Sequence, residues 1–398
     1  MNLVGYFDHN ATTPLLPQVV DAVVERMRAF GNPSSQHALG QHARAAIERD
    51  RRSVARLIDA DADRLFFTSG GTESNNLAIR GLLAEYAAQS GHIITSAIEH
   101  ASVLDVVRHL ALERHWSVTA LPVNRHGEVD PEDVRRSLRG DTRLIAVMLV
   151  NNEIGTLQPV SAIAAIAAHA GVALHVDAVQ AAGKVPVAVA ELGADTLSLS
   201  SHKLHGPKGV GALYIKDPAR FSTFLRGGGQ ERGIRSGTEN TAGVAGFAAA
   251  ADLALRELAS RQQLFKTARA RLLARIEQQL DAFFINGSAD EKRCTPNTLN
   301  IGFSGIRGEA LAALLDAKYG VSVSLGSACS NNKQAKLSHV LRAIGLSDEQ
   351  IRSSIRVSFG ATTTLEEVDY FAEALISSVV LLRRVAGNAM ATPRSALA

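Results

Sequence analysis

Residues 17–255 alternate short β-branched or aromatic runs with longer stretches rich in Ala, Leu and Arg, and no other feature of the chain restricts its fold as much. The pattern predicts strands at 65–68, 92–95, 117–121, 144–150, 172–176, 196–199 and 211–215. Several of these runs are continuously apolar, as strands covered on both faces are. Between them, 41–57 and 159–170 carry the roughly 3.6-residue apolar repeat of helices that lie on a sheet. Strand, helix and strand in succession predict an α/β domain built on a mainly parallel sheet.

The texture changes along 242–280, which reads as one uninterrupted helical stretch containing a domain boundary. Beyond it, strands at 298–303, 322–325 and 354–359 mixed with helices at 308–318 and 365–386 predict a smaller α+β domain. The expected division is a large domain over 15–255 and a small domain built from 1–14 and 256–398, with a loose tail from 387. A chain of 398 residues with 46% hydrophobic content is long enough for two such cores.

Composition removes several functions. Lys+Arg 42 against Asp+Glu 39 are scattered, so no basic stripe for direct nucleic-acid binding is expected. Thirteen histidines form no H-E-x-x-H and the two cysteines no C-x-x-C, so no metal site is expected. Two cysteines, Cys294 and Cys329, also exclude a disulfide framework and point to a reducing compartment. Asp8, His9 and Asn10 interrupt any signal-peptide pattern, and the apolar stretches at 162–174 and 374–382 fall short of the roughly 20 residues of a bilayer span. The expectation is a cytoplasmic protein acting on a small molecule.

Four stretches carry chemistry. Ser69-Gly70-Gly71-Thr72-Glu73 follows a strand and opens a helix, where free amides and the helix dipole can seat a phosphate; an ordinary capped helix start is the plainer alternative. Asp177 ends a strand, at the edge where α/β sheets bind ligands, and a carboxylate there can keep a pyridine nitrogen protonated. Lys203 lies in the turn Ser200-Ser201-His202-Lys203-Leu204-His205-Gly206, whose company suits a Schiff-base lysine more than a surface one. Cys329 stands in Gly326-Ser327-Ala328-Cys329-Ser330-Asn331-Asn332, a small-residue run suited to a reactive thiol, whereas Cys294 is read as a buried, inert one.

Together these stretches resemble the cysteine desulfurases of the NifS/IscS group, class V of the fold-type-I pyridoxal-phosphate enzymes, almost from end to end. Asn10-Ala11-Thr12-Thr13, Gly31-Asn32-Pro33-Ser34-Ser35, Thr68-Ser69-Gly70-Gly71-Thr72, Glu99-His100, Asn151-Asn152-Glu153-Ile154-Gly155, His175-Val176-Asp177-Ala178-Val179-Gln180, Ser200-Ser201-His202-Lys203, Gly227-Gly228-Gly229-Gln230-Glu231, Gly237-Thr238-Glu239-Asn240, Gly326-Ser327-Ala328-Cys329 and Ser353-Ser354-Ile355-Arg356 carry the likeness. It implies a large domain with a mainly parallel mixed sheet and a smaller C-terminal domain, pyridoxal 5'-phosphate as cofactor, and a homodimer that converts L-cysteine to L-alanine.

The resemblance also implies roles. Lys203 would hold the cofactor aldehyde, Asp177 the pyridine nitrogen and Gln180 the ring oxygen, with His100 stacked on the ring and moving protons. Gly71, Thr72, Ser200 and His202 would seat the phosphate with Thr238 of a second subunit, while Asn10, Asn152 and Arg356 hold the substrate carboxylate. Cys329 would take the sulfur as a persulfide and pass it to an acceptor protein, for iron-sulfur assembly, tRNA thiolation or DNA phosphorothioation. The run 330–337 is one residue longer than is usual in the group, and Ala361 stands where an arginine generally does, so the acceptor stays open. Two further readings remain: a selenocysteine lyase or other class V enzyme that does not need Cys329, and an inactive sulfur-carrier docking protein.

Overall fold

The computed structural model describes residues 5–86, 90–290, 292–325 and 337–387. Its larger sheet is built from β1 (Leu65–Thr68), β2 (His92–Ser96), β3 (Ser117–Leu121), β4 (Thr142–Met148), β5 (Ala173–Asp177), β6 (Thr196–Ser200) and β7 (Gly211–Ile215), in the order β1-β7-β6-β5-β4-β2-β3. β6, β5, β4, β2 and β3 run parallel to their neighbours, while β7 is antiparallel to both β1 and β6. β1 therefore points the same way as the parallel strands, and the carboxyl ends of β1, β2, β4, β5 and β6 open on one edge of the sheet. That edge is where a doubly covered α/β sheet offers a crevice.

Both faces are covered, as the continuous apolar runs require. One face packs Leu65, Phe67, Ile94, Ile145, Val147, Leu174 and Val176 against the helices α1 (Pro17–Arg28) and α2 (Ala38–Arg56) and the helices Val160–Ala170 and Thr241–Arg256. The other face packs Ile93, Leu144 and Ala146 against α3 (Gly71–Leu83) and α4 (Ala101–Arg114). Neighbouring residues of one strand thus enter different cores, the period-2 geometry of an extended chain.

A second, antiparallel sheet has the order β10-β11-β9-β8, with β8 (Phe283–Asn286), β9 (Thr298–Phe303), β10 (Ser324–Leu325) and β11 (Ser354–Ser358). Its core gathers Phe265, Leu272 and Ile276 with Leu299, Ile301, Phe303, Val357 and Phe371. Phe7 belongs to this core: its ring stacks on Phe371 at 4.5 Å and meets Phe359 edge-on at 6.1 Å. Lone bridges from Tyr6 to Ser322 and from Asp8 to Ser358 align the N-terminal segment with the second sheet and carry it toward the open edge of the first.

The structure departs from the sequence pattern at three places. The stretch 242–280 is two helices, Thr241–Arg256 and Leu258–Gln279, meeting at Glu257 (φ −101°, ψ 6°). No Gly or Pro marks the break, because its cause is tertiary: the first helix packs on the large core and the second on the small one. Glu257 still donates to Leu253 O, and Arg261 N donates to Glu257 O at 2.8 Å, so few backbone bonds are lost. β4 ends at Met148 instead of Val150, since the chain turns where Asn151 Oδ1 accepts from the amides of Glu153 and Ile154. β8 is absent from the predicted strands: the apolar run within it, Phe283-Phe284-Ile285, is only three residues long, and these side chains are half-buried.

Candidate active site

A cavity of about 390 Å³ lies at the open sheet edge, against the N-terminal segment and β11. Asn10, Gly71, Thr72, His100, Asn152, Asp177, Gln180, Ser200, His202, Lys203 and Arg356 all line it. Eleven of the residues singled out from the sequence, drawn from seven separated stretches, therefore meet at one place. Thr238 does not line this cavity and is exposed to solvent. Cys329 lies outside the described residues, but both flanks of its segment are described. Leu325 pairs with Ile355, next to Arg356, and Ser338 Oγ donates to Glu153 Oε2 at 2.5 Å, beside Asn152. His339 Nε2 lies 2.9 Å from the carbonyl of Glu99, beside His100.

The β1–α3 turn supports the phosphate reading over the capped-helix one. Gly70, at φ 152° and ψ −178°, occupies backbone space open essentially to glycine alone, and it caps α3 with no side-chain bond. The first amides of α3 are left without side-chain acceptors at the cavity, the arrangement that binds anions. A methyl group on Gly71 would stand 2.7 Å from Val179 Cγ2, so the turn sits tight against the segment that follows Asp177. Glu73 accepts from the Ser69 amide and pairs with Arg235 at 2.8 Å, tying the phosphate turn to the segment that carries Thr238.

Asp177 is held by a network whose hydrogens can be assigned by elimination. Asn75 Nδ2 donates to Asp177 Oδ2 at 2.8 Å and to Ser102 Oγ at 2.8 Å, and the Val179 amide donates to Asp177 Oδ1 at 2.9 Å. Asn75 Oδ1 then accepts from His175 Nε2 at 3.0 Å. Because His100 Nδ1 accepts from the Ser102 amide and so carries no hydrogen, the Ser102 hydroxyl donates to it at 2.7 Å. The amide bond makes His100 the N-cap of α4, and the proton of the neutral ring sits on Nε2. Sequence reasoning gives neither Asn75 nor Ser102 a role. Their signal is the fold, which brings them beside Asp177 from 102 and 75 residues away.

The electrostatics suit an amine nucleophile. Burial, reinforced by Arg356 and opposed by Asp8 and Asp177, lowers Lys203 to about 8. Its amine donates to the carbonyls of Asn10 at 2.6 Å and Ala11 at 2.7 Å. Burial also lowers His100, with Asp177 pulling the other way, and lowers His202 to about 4. Behind His100, Glu99 is entirely buried and pushed up to about 8, its Oε1 accepting from Ser96 Oγ and the Met148 amide. Arg356 donates to Asn152 O at 3.1 Å and pairs with Asp8 at 2.7 Å, while its buried Nε has no acceptor. That idle donor and the unpaired α3 amides are what a carboxylate and a phosphate, respectively, would satisfy, so the residues present fit pyridoxal phosphate with an amino-acid substrate.

The chain matches the aminotransferase class-V family over residues 5–371. It is 42% identical over 381 residues to the cysteine desulfurase IscS of Dictyoglomus turgidum, spanning 96% of this chain and 95% of that protein. A solved NifS-like protein superposes with a TM-score of 0.88 at 35% identity, covering 95% of this chain and 100% of the other. SspA in complex with cysteine superposes with a TM-score of 0.79 at 33% identity, covering 90% and 100%.

Proposed function

This chain belongs to the class-V aminotransferase family and is a pyridoxal-phosphate-dependent cysteine desulfurase, and we propose that the reaction runs in the cavity at the sheet edge with Lys203, His100 and Cys329 as its reacting groups. Bound pyridoxal phosphate supplies an aldehyde that an amine can capture and a ring that accepts the electron pair released at a substrate carbon. Asp177, fixed by Asn75 and the Val179 amide, would keep the ring nitrogen protonated. Gln180 would donate to the ring oxygen, and Gly71, Thr72, Ser200 and His202 would hold the phosphate.

L-cysteine enters with its carboxylate toward Arg356, Asn152 and Asn10, and the idle Nε of Arg356 gives the guanidinium a second donor for it. The Lys203 amine, neutral in part at ordinary pH because burial lowers it to about 8, takes the proton from the substrate Cα. His100 Nε2, the edge of the ring left free by Ser102, moves a proton between the amino acid and solvent. The Cys329 thiolate attacks the substrate sulfur. An S–S bond forms as the Cβ–S bond breaks, the bonding pair stays with carbon and is protonated, and one cysteine plus one thiol become one alanine plus one persulfide.

The observation that carries these roles is the meeting of Lys203, Asp177, His100, Gln180 and Arg356 in one cavity. Cys329→Ala is expected to keep its bound cofactor and to release no sulfide from L-cysteine, while Lys203→Ala loses both alanine and sulfide production. Undiminished sulfide release by Cys329→Ala would rule the persulfide route out and favour a lyase.

The same reading makes the enzyme a homodimer with Thr238 serving the other copy's phosphate. Its support is the exposure of Thr238 away from its own cavity and an apolar stripe on α1. It divides the chain into a large domain over 15–255 and a small domain of 1–14 and 256–398, supported by the two cores. It puts the protein in the cytoplasm, handing sulfur to a protein acceptor, with iron-sulfur assembly the first pathway to test. Among the described residues no helix is long and apolar enough to cross a membrane.

A further inference from the structure

Behind the cavity wall lies a lysine that none of these roles uses. Lys184 is buried, and its amine donates to Gln180 Oε1 at 2.5 Å and to Asn10 Oδ1 at 3.0 Å. The charged groups that act on it, Lys203 and Arg356, are both cations, and burial with their repulsion drives its pKa well below the ordinary lysine value. It acts in turn on the imidazoles of His9, His202 and His205. An amine buried among cations is costly, and an apolar side chain would fill the same space at less cost. Its worth must lie in the two bonds it makes.

Those bonds decide which way two amides face. A lysine amine, neutral or charged, has N–H groups enough to donate to both amides, and a peptide carbonyl can only accept. Gln180 Oε1 accepts from Lys184 while Gln180 Nε2 donates to Asn10 O at 2.9 Å, so the Gln180 amide cannot turn over without losing both bonds. The second N–H of the Gln180 amide then remains for the cavity that this residue lines. Asn10 is fixed in the same way. Its Oδ1 accepts from Lys184 and from Asn297 Nδ2, and its Nδ2 donates to Asn152 O and Thr298 Oγ1. Asn10 O also accepts from Lys203, so one amine orders the wall shared by the cofactor and substrate sides.

We propose that Lys184 is a positioning residue that locks the Gln180 amide with an N–H toward the cavity, where that N–H favours the anionic ring oxygen of bound pyridoxal phosphate. This rests on the reading of the cavity as the cofactor site. It adds to that reading a residue which touches neither cofactor nor substrate.

The test uses purified full-length protein, wild type against Lys184→Met, Gln180→Leu and the double variant. Three quantities are measured: the pyridoxal phosphate dissociation constant, the pH midpoint of the bound cofactor's visible absorbance change, and the melting temperature of cofactor-free protein. Lys184→Met removes the lock that presents an N–H to the anionic oxygen, so the midpoint is expected to rise by about one unit and the dissociation constant by about tenfold. Cofactor-free protein should melt no lower than wild type, since a costly buried amine has gone. Gln180→Leu should raise the midpoint as well, and the double variant should exceed the larger single effect by far less than the sum.

A Lys184→Met protein with the wild-type midpoint and dissociation constant, or single effects that add in full, overturns the proposal. A lower melting temperature with an unmoved midpoint reduces Lys184 to a packing role and overturns it too. Should Lys184→Met not fold, Lys184→Leu, which has no donor, carries the same expectation. A wild type that takes up no pyridoxal phosphate defeats the cofactor-site reading itself, whereas a coloured wild type with unshifted variants defeats only the role of Lys184.

Discussion

Lys203 shows how far a local environment moves a side chain from its ordinary chemistry. In water its amine would be almost fully protonated at neutral pH and inert as a nucleophile. Burial beside Arg356 lowers it to about 8, and the carboxylates of Asp8 and Asp177 prevent a larger drop. The sign is definite: the neutral, reactive amine becomes more abundant as pH rises through about 8 and stops increasing above it. The rate at which cofactor-free protein takes up pyridoxal phosphate is therefore expected to climb about tenfold per unit below pH 7 and to level off near pH 9. Stopped-flow absorbance across pH 6 to 11 reads it, and a rate still climbing beyond pH 10 would mean that the amine is unperturbed. The sequence offered Lys203 and Asp177 as candidates through their residue types and neighbours, and Arg356 through the resemblance to the cysteine desulfurases. It could not offer Asn75, Ser102 or Lys184, whose importance comes from contacts with residues distant in the chain.

On the proposed reading, cofactor affinity rests on the β1–α3 turn. Its glycine-rich run was legible as a phosphate seat, but the choice between that and a capped helix needed the backbone. Gly70 adopts a conformation that other residues avoid, and no side chain takes the cap position where it would occupy the free amides. Gly70→Ala leaves room for the methyl group, whose nearest neighbour would be Ser200 Oγ at 4.0 Å, so its penalty is in the backbone and not in packing. The variant is expected to fold with a stability loss of roughly 1–3 kcal/mol and to bind pyridoxal phosphate at least about tenfold more weakly, because tilted amides no longer converge on one anion. Equilibrium dialysis beside a denaturant titration checks both. Undiminished cofactor affinity would show that this turn is not the phosphate seat.

In the molecule as a whole, α1 has apolar residues on two sides. Val19 is buried against the large core, whereas Val20, Val24 and Met27, which recur at helical spacing, and Phe30 just beyond the helix face solvent, Met27 68% and Phe30 83% exposed. An apolar stripe of this kind is normally covered. With a second copy covering it, Met27→Glu combined with Phe30→Asp is expected to yield monomers in sedimentation equilibrium and to weaken cofactor binding through loss of the other copy's Thr238. A wild type that is monomeric at all concentrations would contradict this. The sequence by itself determined the α/β class and the change of texture near residue 242, which follow from local periodicity, and it offered Gly71, Thr72, Asp177 and Lys203 through their residue types and neighbours. The other candidates among the lining residues came from the resemblance to the cysteine desulfurases and from no local pattern. Tertiary structure alone decided that β7 runs against its neighbours, that the 242–280 helix breaks at Glu257, that Phe7 joins the C-terminal core and that Lys184 orders the cavity wall. Each of these depends on which distant surfaces meet, and a buried group's energy is set by those partners and not by its neighbours in the chain.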